Sequence, residues 1–308
     1  MLPSHTYSQP QTADPVLEAG TVLALLRRHG AHGTTVSSID ETGGEARVYK
    51  VAPHFVLKIQ RPHRLRPHTS LAKEAFFLTQ LAASPDLVVP QVLGYDRHNE
   101  VEYLVMTQMP GVPARTVTLT GAPRTALLRQ LGRTLRRLHT LPQAPFAASS
   151  LFPGSRTRAA FVAQVQEHLA QAISVLEATP DFWPFDRAPA DLASQFLAGL
   201  PDTLDLVALH SNPGPEHVFV HPDTLALVGL IDFGDAYIGP PALDWRWSTH
   251  ADRLDLLHGY GADTSLSQAF LAAWRAVLGL SDIIALATRP ASRPQTLERL
   301  RDLLRTLA

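Results

Sequence analysis

Two short polar runs bracket a β-patterned pair late in the chain. His210-Ser211-Asn212-Pro213-Gly214-Pro215-Glu216-His217 precedes Val218-Phe219-Val220, and Asp232-Phe233-Gly234-Asp235 follows Leu227 to Ile231. The turn His221-Pro222-Asp223-Thr224 joins the two apolar runs, so they are expected to form a hairpin. The ends of an antiparallel ribbon lie side by side, which brings His217 and Asp232 to one place, where a single ion could touch both. A lone Asp after a strand is ordinarily a turn or helix cap. Facing a polar loop across a ribbon, it points to chemistry instead.

Upstream, the pattern is different. Pro15 to His29 has helical apolar spacing, with Gly30 as its stop signal. Thr35 to Ile39, Ala46 to Val51 and Phe55 to Ile59 alternate as strands, separated by Asp40-Glu41-Thr42-Gly43-Gly44 and by Pro53-His54. A helix is expected from Thr69 to Ala83, then strands near Val88 to Leu93 and Glu102 to Met106. Met109-Pro110-Gly111-Val112-Pro113 is turn chemistry at the change of pattern, and beyond it the chain is mainly helical, as at Leu127 to Leu138 and Phe161 to Leu176. The expected organisation is α+β: residues 1–107 (the first ~14 of them loose) form a small antiparallel-sheet lobe, 108–113 a hinge, and 114–308 a helical lobe.

Composition excludes several classes. The 308 residues carry 27 basic and 28 acidic side chains, a net charge of -1, so no bulk field favours nucleic acid or an anionic membrane. There is no cysteine, which removes disulfides, thiolate zinc sites, iron–sulfur clusters and cysteine nucleophiles. No run approaches the ~18 apolar residues of a membrane span, and the N-terminal stretch lacks a signal-peptide pattern, so a cytoplasmic location is expected. Among the 27 basic residues only Lys50, Lys58 and Lys73 are lysine. A lysine inside the apolar run Phe55-Val56-Leu57-Lys58-Ile59 suggests that a compact ammonium is needed there and a planar guanidinium fork would not serve. Lys50 and Lys73 are expected to be solvated. Glu74 lies in the helix after that strand, placed to reach back toward it. Gly43 and Gly44 would let backbone amides approach a phosphate, although paired glycines in a hairpin are often only a turn.

The order of these features resembles the protein-kinase-like fold, and in detail the aminoglycoside phosphotransferase and choline kinase group of small-molecule kinases. The resemblance runs from about Val36 to Tyr260. It rests on Val48-Tyr49-Lys50-Val51 with Phe55 to Lys58, on Tyr103-Leu104-Val105-Met106 leading to Pro110-Gly111, on Leu135 to His139, and above all on His210 to His217 with Leu230 to Ala236 and Pro241-Ala242-Leu243-Asp244. It implies a bilobal fold in which Lys58 holds the α- and β-phosphates of ATP and pairs with Glu74. Thr107, Gln108 and Met109 would receive the adenine through backbone groups, and Asp232 would bind Mg2+. His217 falls where the group usually has a metal-binding Asn, and Mn2+ is more forgiving of that nitrogen than Mg2+. Asp244 resembles a carboxylate that braces the catalytic loop.

One departure is serious. The group's pattern is His-Gly-Asp, whose Asp handles the acceptor hydroxyl's proton, and here the run is His210-Ser211-Asn212. An amide oxygen can hold a hydroxyl in line but cannot take up its proton. The sequence therefore leaves two readings: an ATP- and Mg2+-dependent phosphotransferase with weak or absent turnover, acting on a small hydroxyl compound such as an aminoglycoside-like amine or sugar, or a nucleotide-binding pseudokinase with a binding or regulatory role. Asp235 could stand in as a base or serve as a local cap. For the acceptor, the stretch Glu177 to Asp205 holds six acidic residues against Arg187 alone, interleaved with Phe182, Trp183 and Phe185. It would suit a cation, or it is a solvated surface with aromatics anchoring a loop.

Overall fold

A computed structural model of the chain describes residues 14–42, 44–66, 68–84, 86–247 and 249–306. In chain order the elements are α1 (Ala19–Arg28), β1 (Val36–Asp40), β2 (Ala46–Val51), β3 (Phe55–Gln60), α2 (Leu71–Leu81), β4 (Val92–His98), β5 (Val101–Thr107), β6 (Val112–Pro113), α3 (Gly121–His139), α4 (Ala144–Ala148), α5 (Arg158–Ala178), α6 (Pro189–Ala198), β7 (Val207–Leu209), β8 (Val218–Val220), β9 (Leu227–Leu230), β10 (Tyr237–Gly239), α7 (His250–Tyr260), α8 (Gln268–Thr288) and α9 (Arg293–Arg305). They form two compact units. The first is the chain through Thr118 with Ser149–Phe152 and His210–Tyr237; the second is Leu119–Ala148, Pro153–Leu209 and Ile238–Ala308. The polar loop and ribbon quoted above thus belong with the N-terminal sheet although they lie a hundred residues further along.

In the first unit an antiparallel sheet runs β1-β2-β3-β5-β4. Side chains alternate between its faces. Tyr49, Val51, Leu57, Ile59, Tyr103 and Val105 face one way and close on Val22, Leu25 and Leu26 of α1. Each aliphatic side chain buried there contributes about 1.5–3 kcal/mol. The opposite face, with Val48, Lys50, Val56 and Lys58, lines a cavity. The register sets Val48 against Lys58 and Lys50 against Val56, so two of the three lysines share that face.

The ribbon β8–β9 is antiparallel as expected, with Val218 opposite Leu230 and the Ile231 N–H donating to the His217 carbonyl at 3.1 Å. It extends through β6, where Val112 pairs with Val220. Gly111 makes that junction possible: its φ is +81°, and a Cβ there would stand 2.4 Å from the Val220 carbonyl oxygen. The strand expected over Val88 to Leu93 is displaced, since the observed strand begins at Val92. Pro90 has no N–H to give to a ladder, and the Val88 carbonyl is engaged by the Leu230 N–H at 3.2 Å.

The second unit is mainly helical. α3 packs on α7, and α8 packs against α5, α6 and α9. By length and composition α8 could cross a membrane (21 residues, mean hydropathy 1.7), which corrects the expectation that no run reaches that size. Its apolar surface is spent internally, 61% of the apolar window being buried. Two buried polar networks stiffen this unit. Nε2 of His139 lies 3.0 Å from Asp244 Oδ2, with Nδ1 3.1 Å from the Tyr260 hydroxyl. Asp282 accepts from Arg253 and Arg299. The fold class is α+β and kinase-like, as the resemblance implied.

Candidate active site

The cavity in the first unit measures about 410 Å3, within the range of small-molecule sites. Its apolar walls come from Val48 and Val56 on the sheet and from Phe219 and Ile231 on the ribbon, with Met106 and Met109 between them.

Lys58 sits at its inner end, 9% exposed. Its Nζ donates to Glu74 Oε1 at 3.0 Å and Oε2 at 2.8 Å, and to Asp232 Oδ1 at 2.9 Å. Glu74 is fully buried on the first turn of α2, a helix capped by Ser70 Oγ accepting from the Lys73 N–H. A carboxylate is favoured near that positive helix end. Burial alone would push the Lys58 ammonium down, but Asp232 and Glu74 outweigh it and hold the group above its ordinary range. Burial pushes the Glu74 carboxyl up, with Lys58 offsetting only part of the effect. Burial likewise opposes ionisation of Asp232, yet Lys58 and then His217 hold its carboxyl well below the usual carboxylate value.

The polar loop is organised by its two histidines. His210, fully buried, donates from Nε2 to the Ile231 carbonyl at 2.9 Å and accepts at Nδ1 from the Asn212 N–H at 3.3 Å, its ring lying 4.5 Å from that of Phe233. His217 donates from Nδ1 to the Asn212 carbonyl at 2.8 Å, and its Nε2 stands 3.2 Å from Asp232 Oδ2. Both backbone groups of Asn212 are therefore fixed, and its side chain is exposed. Two residues here adopt left-handed backbone, Ser211 at φ +80° and Asp232 at φ +72°. Each costs on the order of 1–2 kcal/mol, which the surrounding bonds must hold in place.

The expected residues converge unevenly. Lys58, Glu74, Asp232 and His217 come together. Gly44 closes the first hairpin at φ +79° with its N–H on the Glu41 carbonyl, while Gly43 lies outside the described residues. In the segment expected to act as a hinge, the Thr107 and Gln108 N–H groups are committed to the Gln91 and His54 carbonyls at 2.9 and 2.8 Å. Lys73 is not solvated: it is 1% exposed, its ammonium bonds the His68 carbonyl, and burial depresses its pKa to about 8. Lys50 is half-buried and lines the cavity, which leaves the expected solvated reading standing.

Asp235 is also accounted for. It pairs with Arg66, which bridges it to Glu45, and it accepts from Thr69 Oγ1 at 2.8 Å, so it anchors the segment after Phe233 and is not free to act as a base. In the second unit the Arg293 guanidinium stands 3.4 Å from the ring centre of Phe182, and that of Arg301 stands 5.9 Å from the ring centre of Phe185. Trp183 Nε1 donates to the Arg187 carbonyl at 2.7 Å.

Sequence reasoning passed over Glu216 and Arg115, both on the cavity wall. A Cβ at Gly214 would stand 3.0 Å from Glu216 Oε2 and 3.5 Å from Asn212 Oδ1, so glycine makes room for both oxygens. No periodicity marks either residue; only the packing of the loop on the turn after β6, through the Arg115 N–H and the Pro215 carbonyl at 2.9 Å, brings them to the site.

A lysine–carboxylate cluster beneath an antiparallel sheet, facing an Asp at a ribbon's end, defines a kinase-like phosphotransferase class of site. The family described as "Phosphotransferase enzyme family" matches residues 38–280, most of the chain, and the chain belongs to that family. Solved structures share the fold. Macrolide 2'-phosphotransferase MphH from Brachybacterium faecium, an apoenzyme, is 20% identical with a TM-score of 0.58, over 91% of this chain and 97% of that one. The GDP complex of wild-type aminoglycoside 2'-phosphotransferase-IIIa is 16% identical with a TM-score of 0.60, over 94% and 98%. Macrolide 2'-phosphotransferase type I is 19% identical with a TM-score of 0.57, over 97% and 99%.

Proposed function

We propose that the protein binds ATP with a divalent cation in the first unit's cavity and transfers the γ-phosphate to a hydroxyl of a small molecule. The supporting observation is the buried Lys58 ammonium, held by Glu74 and Asp232 at the inner end of a cavity with apolar walls for a base. In this reading the base lies between Val48, Val56 and Ile231. Lys58, a compact charge already oriented by Glu74, meets the α- and β-phosphates. Residues 1–107 and the segment 108–113 act as nucleotide lobe and hinge in this reading, which takes the protein to work in the cytoplasm.

Asp232 and His217 fit a divalent cation, since a carboxylate oxygen and a ring nitrogen converge at 3.2 Å from the two strands at one end of the ribbon. Among the described residues no third His, Asp or Glu joins them, so phosphate oxygens and water would complete the shell. When bound, the ion neutralises charge developing on the transferred phosphoryl group. Asn212 Oδ1 accepts a hydrogen bond from the acceptor hydroxyl and aligns it. As the hydroxyl oxygen bonds to phosphorus the bond to the ADP oxygen breaks, and the proton passes to solvent because an amide cannot take it. The relatives named above are phosphotransferases of aminoglycosides and macrolides, so such hydroxyl-bearing antibiotics are the first acceptors to try.

The test is stabilisation against heat by ATP analogue and metal, with ADP release measured over a panel of amino sugars and macrolides. Wild type should show both, and Lys58→Ala and Asp232→Ala should lose both. Undiminished nucleotide binding in those variants would sink the reading. The exposed amide of Asn212 favours a second reading, a nucleotide-binding protein without turnover. Binding without transfer in wild type, with transfer appearing in Asn212→Asp, would select it.

A further inference from the structure

We propose that Arg66 is a positioning residue that makes the first unit's cavity acceptable to a polyphosphate: it clasps Glu45 and Asp235 so that neither carboxylate is presented to the ligand. The proposal rests on the nucleotide reading above and deepens it.

The lining of the cavity is unbalanced in charge. Five carboxylates stand on its walls, against fixed positive charge on Lys50, Lys58 and Arg115. Lys58 is already shared between two of those carboxylates, Glu74 and Asp232. Left as it is, such a lining repels a polyanion. Glu45 is the least favourable member. Burial, and after it the negative charges of Asp235 and Asp232, push its carboxyl up against the pull of Arg66.

Arg66 supplies the missing charge through Glu45. Its Nε and Nη2 donate to the two Glu45 oxygens, the second at 3.0 Å, and Nη2 donates to Asp235 as well. One planar fork thus covers both carboxylates, a task for which a single ammonium lacks the geometry. Thr69 Oγ1 holds the other Asp235 oxygen at 2.8 Å. Lys73 feels the same two carboxylates, but its ammonium bonds the His68 carbonyl. The side chains of Arg66, Glu45 and Asp235 are 27%, 17% and 16% exposed, so water screens their charges only in part. The clasp also ties two walls together, because Glu45 directly precedes β2 and Asp235 follows shortly after Asp232. Without Arg66, two carboxylates would face each other and the incoming phosphates.

The experiment uses the full chain and calorimetry with ligands of rising charge: adenosine, ADP and a non-hydrolysable ATP analogue, each with Mg2+ in excess. Arg66→Met keeps the aliphatic stem and removes the charge. Adenosine affinity should stay within about twofold of wild type, ADP affinity should fall about tenfold and analogue affinity further, and the losses should shrink as salt is added. Adding Glu45→Gln to Arg66→Met should recover most of the loss, since it removes the uncovered charge without rebuilding the clasp. An equal loss for all ligands, or no recovery on adding Glu45→Gln, would overturn the inference and reduce Arg66 to a structural brace. If Arg66→Met does not fold, Glu45→Gln alone decides: it should tighten the analogue and leave adenosine unchanged, and analogue binding that is unchanged or weaker overturns the inference. A wild type that binds none of the ligands marks failure of the nucleotide reading, and the inference falls with it. Wild-type binding without the charge-graded loss is failure of the inference alone.

Discussion

Asn212→Asp introduces a proton acceptor in the loop that holds His217 while leaving the loop's scaffold unchanged. The substitution is isosteric, and the contacts that hold the loop, Asn212 N–H to His210 and Asn212 carbonyl to His217, are backbone contacts that either residue makes. The side chain is exposed, so the new carboxylate meets no desolvation barrier to ionisation. A positioned general base contributes about 10²- to 10⁴-fold, or roughly 3–5 kcal/mol of barrier. Against this stands repulsion from Asp232, already reduced because Lys58 and His217 occupy its two oxygens. We expect a net rise in kcat of at least tenfold, with KM for nucleotide unchanged or modestly higher. The assay is steady-state ADP release at saturating nucleotide and metal with one acceptor, alongside thermal denaturation of both proteins. A wild type already turning over at ordinary kinase rates, with kcat within threefold of the variant, would refute the claim that proton removal limits this chain.

Three further outcomes are expected. Glu74→Gln leaves the buried Lys58 with one carboxylate partner in place of two; it should cost about 3 kcal/mol in denaturant unfolding and weaken nucleotide binding, and an unchanged midpoint would contradict the pairing. Lys73 has its pKa lowered by burial from 10.5 to about 8, so the unfolded chain binds more protons between those values and stability should rise with pH across that window. The gain is on the order of 3 kcal/mol, and Lys73→Met should abolish it in melts taken from pH 8 to 10.5. His250 is buried with neither ring nitrogen hydrogen-bonded, and burial followed by Arg253 lowers its pKa. Its neutral form is favoured in the fold, so stability should fall as pH drops below the unfolded value of ~6.5. His250→Leu should remove that acid sensitivity and stabilise the fold by about 1 kcal/mol, and a less stable variant would show that the imidazole has a partner after all.

Much of the site was legible because its signals are local. A hairpin joins its own ends, so the meeting of His217 and Asp232 follows from the ribbon and its turn. Strand alternation puts Lys58 on one face of the sheet, and rarity of lysine singled it out. Other residues were misjudged for physical reasons that local pattern cannot carry. Lys73 occupies a helical position that suits solvent, and only the folding of the segment around His68 buries it. Asp235 looked like a spare carboxylate until Arg66 and Thr69, more than 160 residues away, closed on it. Phe182 and Phe185 of the acidic stretch lie beside Arg293 and Arg301 of a helix distant in sequence, a proximity no local pattern carries.

The sequence by itself determined the fold class, the order of motifs and the amide at position 212, since periodicity, turn residues and residue identity are properties of the chain. The tertiary structure decided which charges meet and which backbone groups are already engaged. Lys58 and Asp232 lie 174 residues apart, and no local rule sets their 2.9 Å contact. The His217 ring has Nε2 turned toward Asp232 because a carbonyl five residues away holds Nδ1, and that bond exists only once the loop has folded around Gly214.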